Sequence, residues 1–315
     1  MSKYHNFIGI DIGKLTFVAS LHGNKRTHEY ENTSSGINAF LKDFKDHLAH
    51  SLVVLETTGG CEMQLLLTLC DKKYSVHRAN TRKVKSFIRS FGNGAKTDAL
   101  DARALAFYGF ERHQHLELFV PSSQKAYVLY ELVQRRNDLK QMLVAEKNRL
   151  QSPKATFIKS SFELIIKALE KEVEKITQKI KELIDSDPVL RIRSETLQTI
   201  PGIGEKTAQN LLAFMPELGS LTRRQIASLA GLAPRANDSG KFKGYRHTGM
   251  GRQMIKPTLF LAAMAARRSH SSLKAFYERL IANGKKKMVA LTALMRKIIV
   301  IANARLKSLQ PLMPS

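Results

Sequence analysis

Hydrophobic and polar positions follow two rhythms along this chain. In its first quarter, short β-branched runs such as FIGIDI and SLVVLE recur between polar turns, predicting strands at residues 6–12, about 15–21, about 27–31, 51–56 and 75–78. Spacings of three and four between them predict helices near 35–48, 61–73 and 81–90, then 97–112. Beyond residue 120 the helical spacing takes over, with two long helices over 123–150 and 162–184 separated by the break at Ser152-Pro153. The second carries Phe162, Ile166, Leu169, Val173, Ile176, Ile180 and Leu183 at alternating spacings of four and three, a coiled-coil seam. The first is less regular, its Leu132, Leu139, Leu143 and Leu150 interrupted by Arg136 and Glu146. An antiparallel helical hairpin, within one subunit or between two, would bury both stripes.

Three early strands followed by alternating helix and strand suit a ribonuclease-H-like α/β layer over residues 1–119. A coiled-coil middle, 120–188, ends at Ser186-Asp187-Pro188, and a mostly α domain follows over 189–315. There LQTIPGIGEKTAQNLLAF reads as a helix-hairpin-helix, in which the Gly202-Ile203-Gly204 turn opens a helix whose free N–H groups can grip a phosphate, with Lys206 beside them. A tight turn between packed helices would use the same residues. A polar, basic, glycine-rich loop follows, and the last helices read as its scaffold.

Composition sharpens this picture. A net charge of +24 and a pI near 10.1 call for a polyanionic partner. Residues 1–119 hold 16 Lys/Arg against 12 Asp/Glu, 120–188 hold 13 against 10, and 189–315 hold 22 against 5, so the last third should carry most phosphate contact. Cys61 and Cys70 match no metal pattern and read as reduced thiols. With no secretory leader and no membrane-length apolar run in the sequence, the expectation is a protein of a reducing cytoplasm with no membrane partner.

Against this basic background four acids stand out. Asp11 and Glu56 fall at strand ends, while Asp98 and Asp101 share one face of a helix. Carboxylate oxygens suit Mg²⁺ or Mn²⁺, and two such ions can clamp both reacting oxygens of a phosphodiester. Each residue alone also reads as a turn or cap. IGIDIG would suit an actin-like ATPase too, but the later glycine-rich nucleotide motif is missing. In the basic loop, Ser239 sits among Arg235, Lys241, Lys243, Arg246, His247 and Arg252, cations that could stabilise charge on phosphorus if the hydroxyl were activated. Lys241, Arg246 and Arg252 are expected on phosphates. Ser239 by itself reads as a turn residue, and no general base is evident nearby.

GIDIGK, ETTGG, AKTDALDARALA, IPGIGEKTAQNLLAFMPELG, IASLAGLAPRANDSGKFKG, MGRQMIK and GKKKMVALTALMRKIIVIANARL, in that order, resemble the IS110 family of transposases over nearly the whole chain. The resemblance implies a RuvC-like DEDD domain joined by a coiled coil to a serine-bearing domain. Asp11, Glu56, Asp98 and Asp101 take the DEDD positions and bind Mg²⁺, and Ser239 takes the place of the serine that forms a covalent phosphoserine link to DNA. It also implies element-end and target DNA as substrates, a structured bridge RNA as guide, and a homo-oligomer, dimer and tetramer, with a site made between subunits. Cys61 in place of an aromatic, Asn80-Thr81 in place of Asn-Pro, and Lys256-Pro257 in place of an Arg-rich step depart from the family pattern beside the chemistry. A DNA invertase of the family would share every motif. Two other readings are a junction-resolving hydrolytic nuclease, in which the acids activate water, and a non-catalytic nucleic-acid-binding protein indifferent to loss of the acids.

Overall fold

The alternating apolar runs form one five-stranded sheet. In the computed structural model, which describes residues 3–57, 59–91, 97–121, 123–152, 157–240 and 242–309, the chain divides into two units, 1–121 and 122–315. In the first, β1 (Asn6–Ile12), β2 (Thr16–Leu21) and β3 (Thr27–Glu31) form an antiparallel meander. Then α1 (Ser34–Asp43) and α2 (Lys45–Leu48) lead to β4 (Ser51–Glu56), α3 (Met63–Asp71) leads to β5 (Ser75–Ala79), and α4 (Thr81–Arg89) and α5 (Asp98–Arg112) follow. The order is β3-β2-β1-β4-β5, with β4 parallel to both its neighbours.

β1 and β4 read as continuous apolar runs because both their faces are covered. Ile8, Ile10, Val53 and Leu55 pack with Phe40, Phe44, Leu65 and Leu69 on one face, while Phe7, Leu52 and Val54 meet Val84, Leu105 and Tyr108 on the other. The single helix expected over 35–48 is two helices. Phe44 leaves helical geometry (φ −99°, ψ 10°), and its ring lies buried 4.9 Å from that of Phe40.

α5 rides directly on β1. A Cβ on Gly9 would lie 2.1 Å from Ala102 O and 2.2 Å from Ala106 N, so only glycine admits the helix backbone this close. Gly9→Ala should therefore lower unfolding stability by about 3 kcal/mol, because backbone rather than a flexible side chain must give way. A urea unfolding midpoint equal to wild type would mean the helix can lift off without cost.

The second unit begins with α6 (Gln124–Leu150) and α7 (Lys159–Asp185). They run antiparallel: Lys125 pairs with Asp187 (3.2 Å) at one end and Lys147 with Glu170 (2.6 Å) towards the other. Ile166, Ile180 and Ile184 on α7 and Leu129, Val133 and Leu139 on α6 are buried. Arg136, which breaks the apolar stripe in the sequence, is only 1% exposed, and its guanidinium donates to Gln209 Oε1 and to Asn210 Oδ1 (3.0 Å).

Next come α8 (Pro188–Gln198), α9 (Glu205–Phe214) and α10 (Arg223–Leu229). A small hairpin of β6 (Asp238–Ser239) and β7 (Phe242–Lys243) precedes α11 (Ile255–Ala266), α12 (Ser272–Ala282) and α13 (Lys287–Lys307). α13 is the central rod, burying Leu294, Ile298, Ile299 and Leu306, and its buried Asn303 accepts from Gly219 N (2.9 Å) and donates to Leu221 O (2.7 Å). Among the described residues no helix is long and apolar enough to cross a membrane.

Candidate active site

Strand order brings Asp11 and Glu56 together. β1 and β4 are parallel neighbours whose last paired step is Ile10 with Leu55, so the two acids follow at the same level and on the same side of the sheet. That is the side of Phe7 and Gly9, over which α5 packs. Phe7 meets Phe110 (5.6 Å between centroids) and His113 (5.2 Å), while Gly9 meets Ala102 and Ala106. α5 thus runs antiparallel to β1, and its first turn, with Asp98 and Asp101, lies towards the Asp11 end.

The first turn is a built helix start. Thr97 Oγ1 accepts from Leu100 N (3.2 Å), its backbone oxygen accepts from Asp101 N (2.9 Å), and the helix N-terminus favours the two carboxylates there. All four acids therefore belong to one end and one face of the unit. They do not close into a cage: among the described residues no three His, Cys, Asp or Glu side chains are grouped tightly enough to hold an ion. The donor chemistry nevertheless fits a hard divalent cation, with carboxylates alone, two fixed by adjacent strands and two by a helix whose seat is set by Gly9.

Other side chains hold the loops around this end, and neither local composition nor spacing marks them. Glu62 is fully buried; its Oε1 accepts from Arg78 Nη2 (2.5 Å) and Nε (3.1 Å), and its Oε2 accepts from Gly60 N (3.0 Å), tying the segment after β4 to β5. Asn32 Nδ2 donates to Gly13 O (3.1 Å) and Cys61 O (3.0 Å), joining the turns that follow β1 and β4. The one legible signal is Arg78, a charged residue inside a short strand.

In the second unit Ser239 is exposed at the end of β6, next to the hairpin turn, in register with Phe242. Asp238 pairs in register with Lys243, and its Oδ2 accepts from Arg246 Nη1 (2.8 Å), so this neighbouring carboxylate is committed to an arginine. Arg235 and His247 exchange backbone hydrogen bonds (2.8 and 3.3 Å) and extend the ribbon, with one extra residue on the returning side. Gly240 holds φ +53°, with open space where a Cβ would stand. Lys241 lies outside the described residues.

The structure distinguishes the remaining sequence-selected residues. Gly204 precedes α9 with open space around it, and Lys206 is exposed on the first turn. Burial, then the charges of Arg136 and Lys206, pull the Lys140 ammonium below the usual lysine range. Gly202 is closed in: it holds φ +90°, and a Cβ there would strike Ala262 O (2.3 Å) and Ala266 N (2.8 Å) of α11. Arg252 donates from Nη1 to Phe214 O and Glu217 Oε2 (both 2.7 Å) and from Nη2 to Glu217 Oε1 (2.5 Å), which anchors the basic loop to the end of α9. Arg252→Ala should cost about 1–2 kcal/mol in unfolding free energy, against under about 1 kcal/mol for the more exposed Arg246. Arg252→Lys should recover little, since an ammonium cannot reproduce the paired contact; chemical denaturation of the three variants checks the order.

Comparison with known proteins shows the family. A model of the DEDD transposase domain of the IS110 group matches residues 8–153, and one for transposases of the IS116/IS110/IS902 family matches residues 194–278. The chain is 28% identical over 321 aligned residues to the pilin gene-inverting protein of Moraxella lacunata, covering 99% of this chain and 98% of that protein, and the Moraxella bovis pilin gene-inverting protein matches to the same extent. With one match spanning the first unit and running into the second, and the other lying within the second, this chain belongs to the IS110 family of transposases, enzymes of DNA recombination.

Proposed function

We propose that the protein cuts and rejoins DNA strands at the ends of a mobile element and at its target, with Ser239 as nucleophile and Asp11, Glu56, Asp98 and Asp101 as holders of two Mg²⁺ ions. The observation that carries this reading is the assignment, by strand order and helix direction, of all four carboxylates to one end of a RuvC-like sheet. The ions, when bound, would neutralise charge on the phosphate and lower the cost of deprotonating a hydroxyl.

In the cleavage step Ser239 Oγ bonds to phosphorus and one bridging P–O bond breaks, leaving a deoxyribose hydroxyl that takes up a proton. In rejoining, a hydroxyl of the incoming strand attacks the phosphoserine and releases the serine hydroxyl. One ester bond forms for each broken, so no external energy source is needed. Arg235, Lys243 and Arg246 surround the serine ribbon as phosphate contacts, together with Lys241. The α8–α9 pair acts as a helix-hairpin-helix, with Gly204 and Lys206 on a phosphate, while Gly202 and Arg252 set the shape that presents them.

A bridge RNA guides the choice of DNA, and the α6–α7 coiled coil assembles dimers and tetramers, in the cytoplasm and at the nucleoid. The large basic excess supports both nucleic-acid partners. Inversion of a DNA segment is a second reading, favoured by end-to-end similarity to two pilin gene-inverting proteins, and it uses the same cut-and-rejoin chemistry. The test is denaturing electrophoresis of protein incubated with Mg²⁺, element-end DNA, target DNA and RNA copied from the flanking non-coding region. A protein–DNA adduct that survives denaturation is the expected product; cleaved DNA without one would favour hydrolysis.

A further inference from the structure

α4 is a strongly basic helix with little structural use for its charge. Of TRKVKSFIR only Val84 is buried, while Arg82, Lys83, Lys85 and Arg89 are all exposed and none forms an ion pair among the described residues. The helix starts at the carboxylate end: Ala79 is in register with Glu56, and Thr81 Oγ1 lies 3.0 Å from Thr57 Oγ1, the residue after Glu56.

Aromatic rings continue the surface at the other end of α4. Phe91 is 52% exposed and packs 5.0 Å from Phe87 and 5.2 Å from Phe107 of α5. His22 lies parallel to Phe107 (5.8 Å) and stacks on Phe110 (4.3 Å, planes 16° apart), and Phe110 is itself 43% exposed. Cations followed by exposed rings match the needs of an unpaired strand, whose phosphates want charge and whose base faces want stacking partners. A duplex, with its bases stacked on each other, has no use for the rings. Nine helical residues span about 13 Å, enough to run beside a short stretch of strand.

We propose that the α4–α5 face binds a single-stranded stretch of the DNA substrate next to the phosphate being cut. Arg82, Lys83, Lys85 and Arg89 hold its backbone, and Phe91 with the His22–Phe110 stack receives unpaired bases. The proposal rests on the reading of the carboxylate end as the place where DNA is cut. It adds a strand-guiding surface remote in sequence from the basic loop that holds Ser239.

The test uses the full chain and fluorescent single-stranded DNA, duplex DNA and RNA of one sequence, with affinity followed by anisotropy across a salt series. The combined Arg82→Ala, Lys83→Ala, Lys85→Ala, Arg89→Ala variant should flatten the single-strand salt dependence by up to about 2.8 log units per log unit of salt, about 0.7 for each phosphate no longer neutralised. Exchanging lysine and arginine at the four positions should keep the wild-type slope. Phe91→Ala should weaken single-stranded DNA about 5- to 150-fold and leave duplex unchanged, with Phe91→Trp restoring affinity.

An unchanged slope in the four-alanine variant overturns the proposal, as does a loss confined to RNA, or an equal loss on duplex and single strand in Phe91→Ala. Asp11→Asn, run alongside, separates this result from the reading of the site. If that variant still recombines DNA, the carboxylate assignment fails, whatever the salt slopes say of α4. If it is inactive and the four-alanine slope is unchanged, only the strand-binding surface fails.

Discussion

Replacing Asp11 or Asp101 with alanine should reduce recombination by about a thousandfold or more while nucleic-acid binding and folding persist. The size follows from what a shared divalent ion supplies to phosphoryl transfer, several kcal/mol of charge stabilisation, where each 1.4 kcal/mol is a factor of ten in rate. Selectivity follows from position. Neither residue is among the buried side chains of the sheet and helix cores, so removing it should change unfolding free energy by less than about 1 kcal/mol. The two substitutions also probe different elements: Asp11 is the last but one residue of a strand paired on both sides, whereas Asp101 rides on α5, seated through Gly9. If both hold the same ions, their effects will be strongly non-additive, and the double variant will be scarcely worse than either single one. Product formation against Mg²⁺ concentration, read by gel with binding measured in parallel, provides the check. Near-normal recombination by either variant would refute the metal assignment, and would return the acids to the turn and cap roles that their local sequences also permit.

How far the sequence discloses this molecule depends on whether the determining contact is local. β1 and β4 announce themselves by short apolar runs, and Asp11 and Glu56 by standing at the ends of those runs. That the two acids are neighbours is a consequence of parallel register between segments 45 residues apart, which pattern alone does not encode. Arg136 shows the same limit more sharply. Along α6 it interrupts a hydrophobic stripe, yet in the fold it is the buried link from that helix to Gln209 and Asn210 of α9. Gly202 and Arg252 stand in stretches whose composition suggests phosphate binding, but Gly202 is a glycine because α11 presses on it, and Arg252 is engaged by Glu217. Buried Glu62 is silent in the sequence for the same reason: its importance lies in Arg78 across the fold. Helix spacing is equally blind to the break at Phe44, which depends on two rings sharing one core.

Ser239→Ala should eliminate the covalent protein–DNA adduct altogether, an effect larger than any change in affinity, because no other atom of that side chain can take the phosphate. Structure makes the substitution unusually clean. The residue is exposed on a two-residue strand, and its removal leaves the Asp238–Arg246 ion pair and the Arg235–His247 bridge in place, so the ribbon should keep its shape. Binding of DNA should stay within about tenfold of wild type, since the loss is at most one neutral hydrogen bond. Serine is a poor nucleophile at neutral pH without activation, and the adjacent carboxylate is already held by Arg246, so adduct formation should depend on divalent metal as steeply as on the serine. Omitting Mg²⁺ and substituting Ser239 should therefore give the same adduct-free gel, while Ser239→Cys should restore a trace of adduct through the larger, softer thiolate. An adduct that survives Ser239→Ala would point to another nucleophile. Cleaved strands without adduct in wild type and variant alike would make the four carboxylates a water-activating site and leave Ser239 as a residue of the hairpin turn.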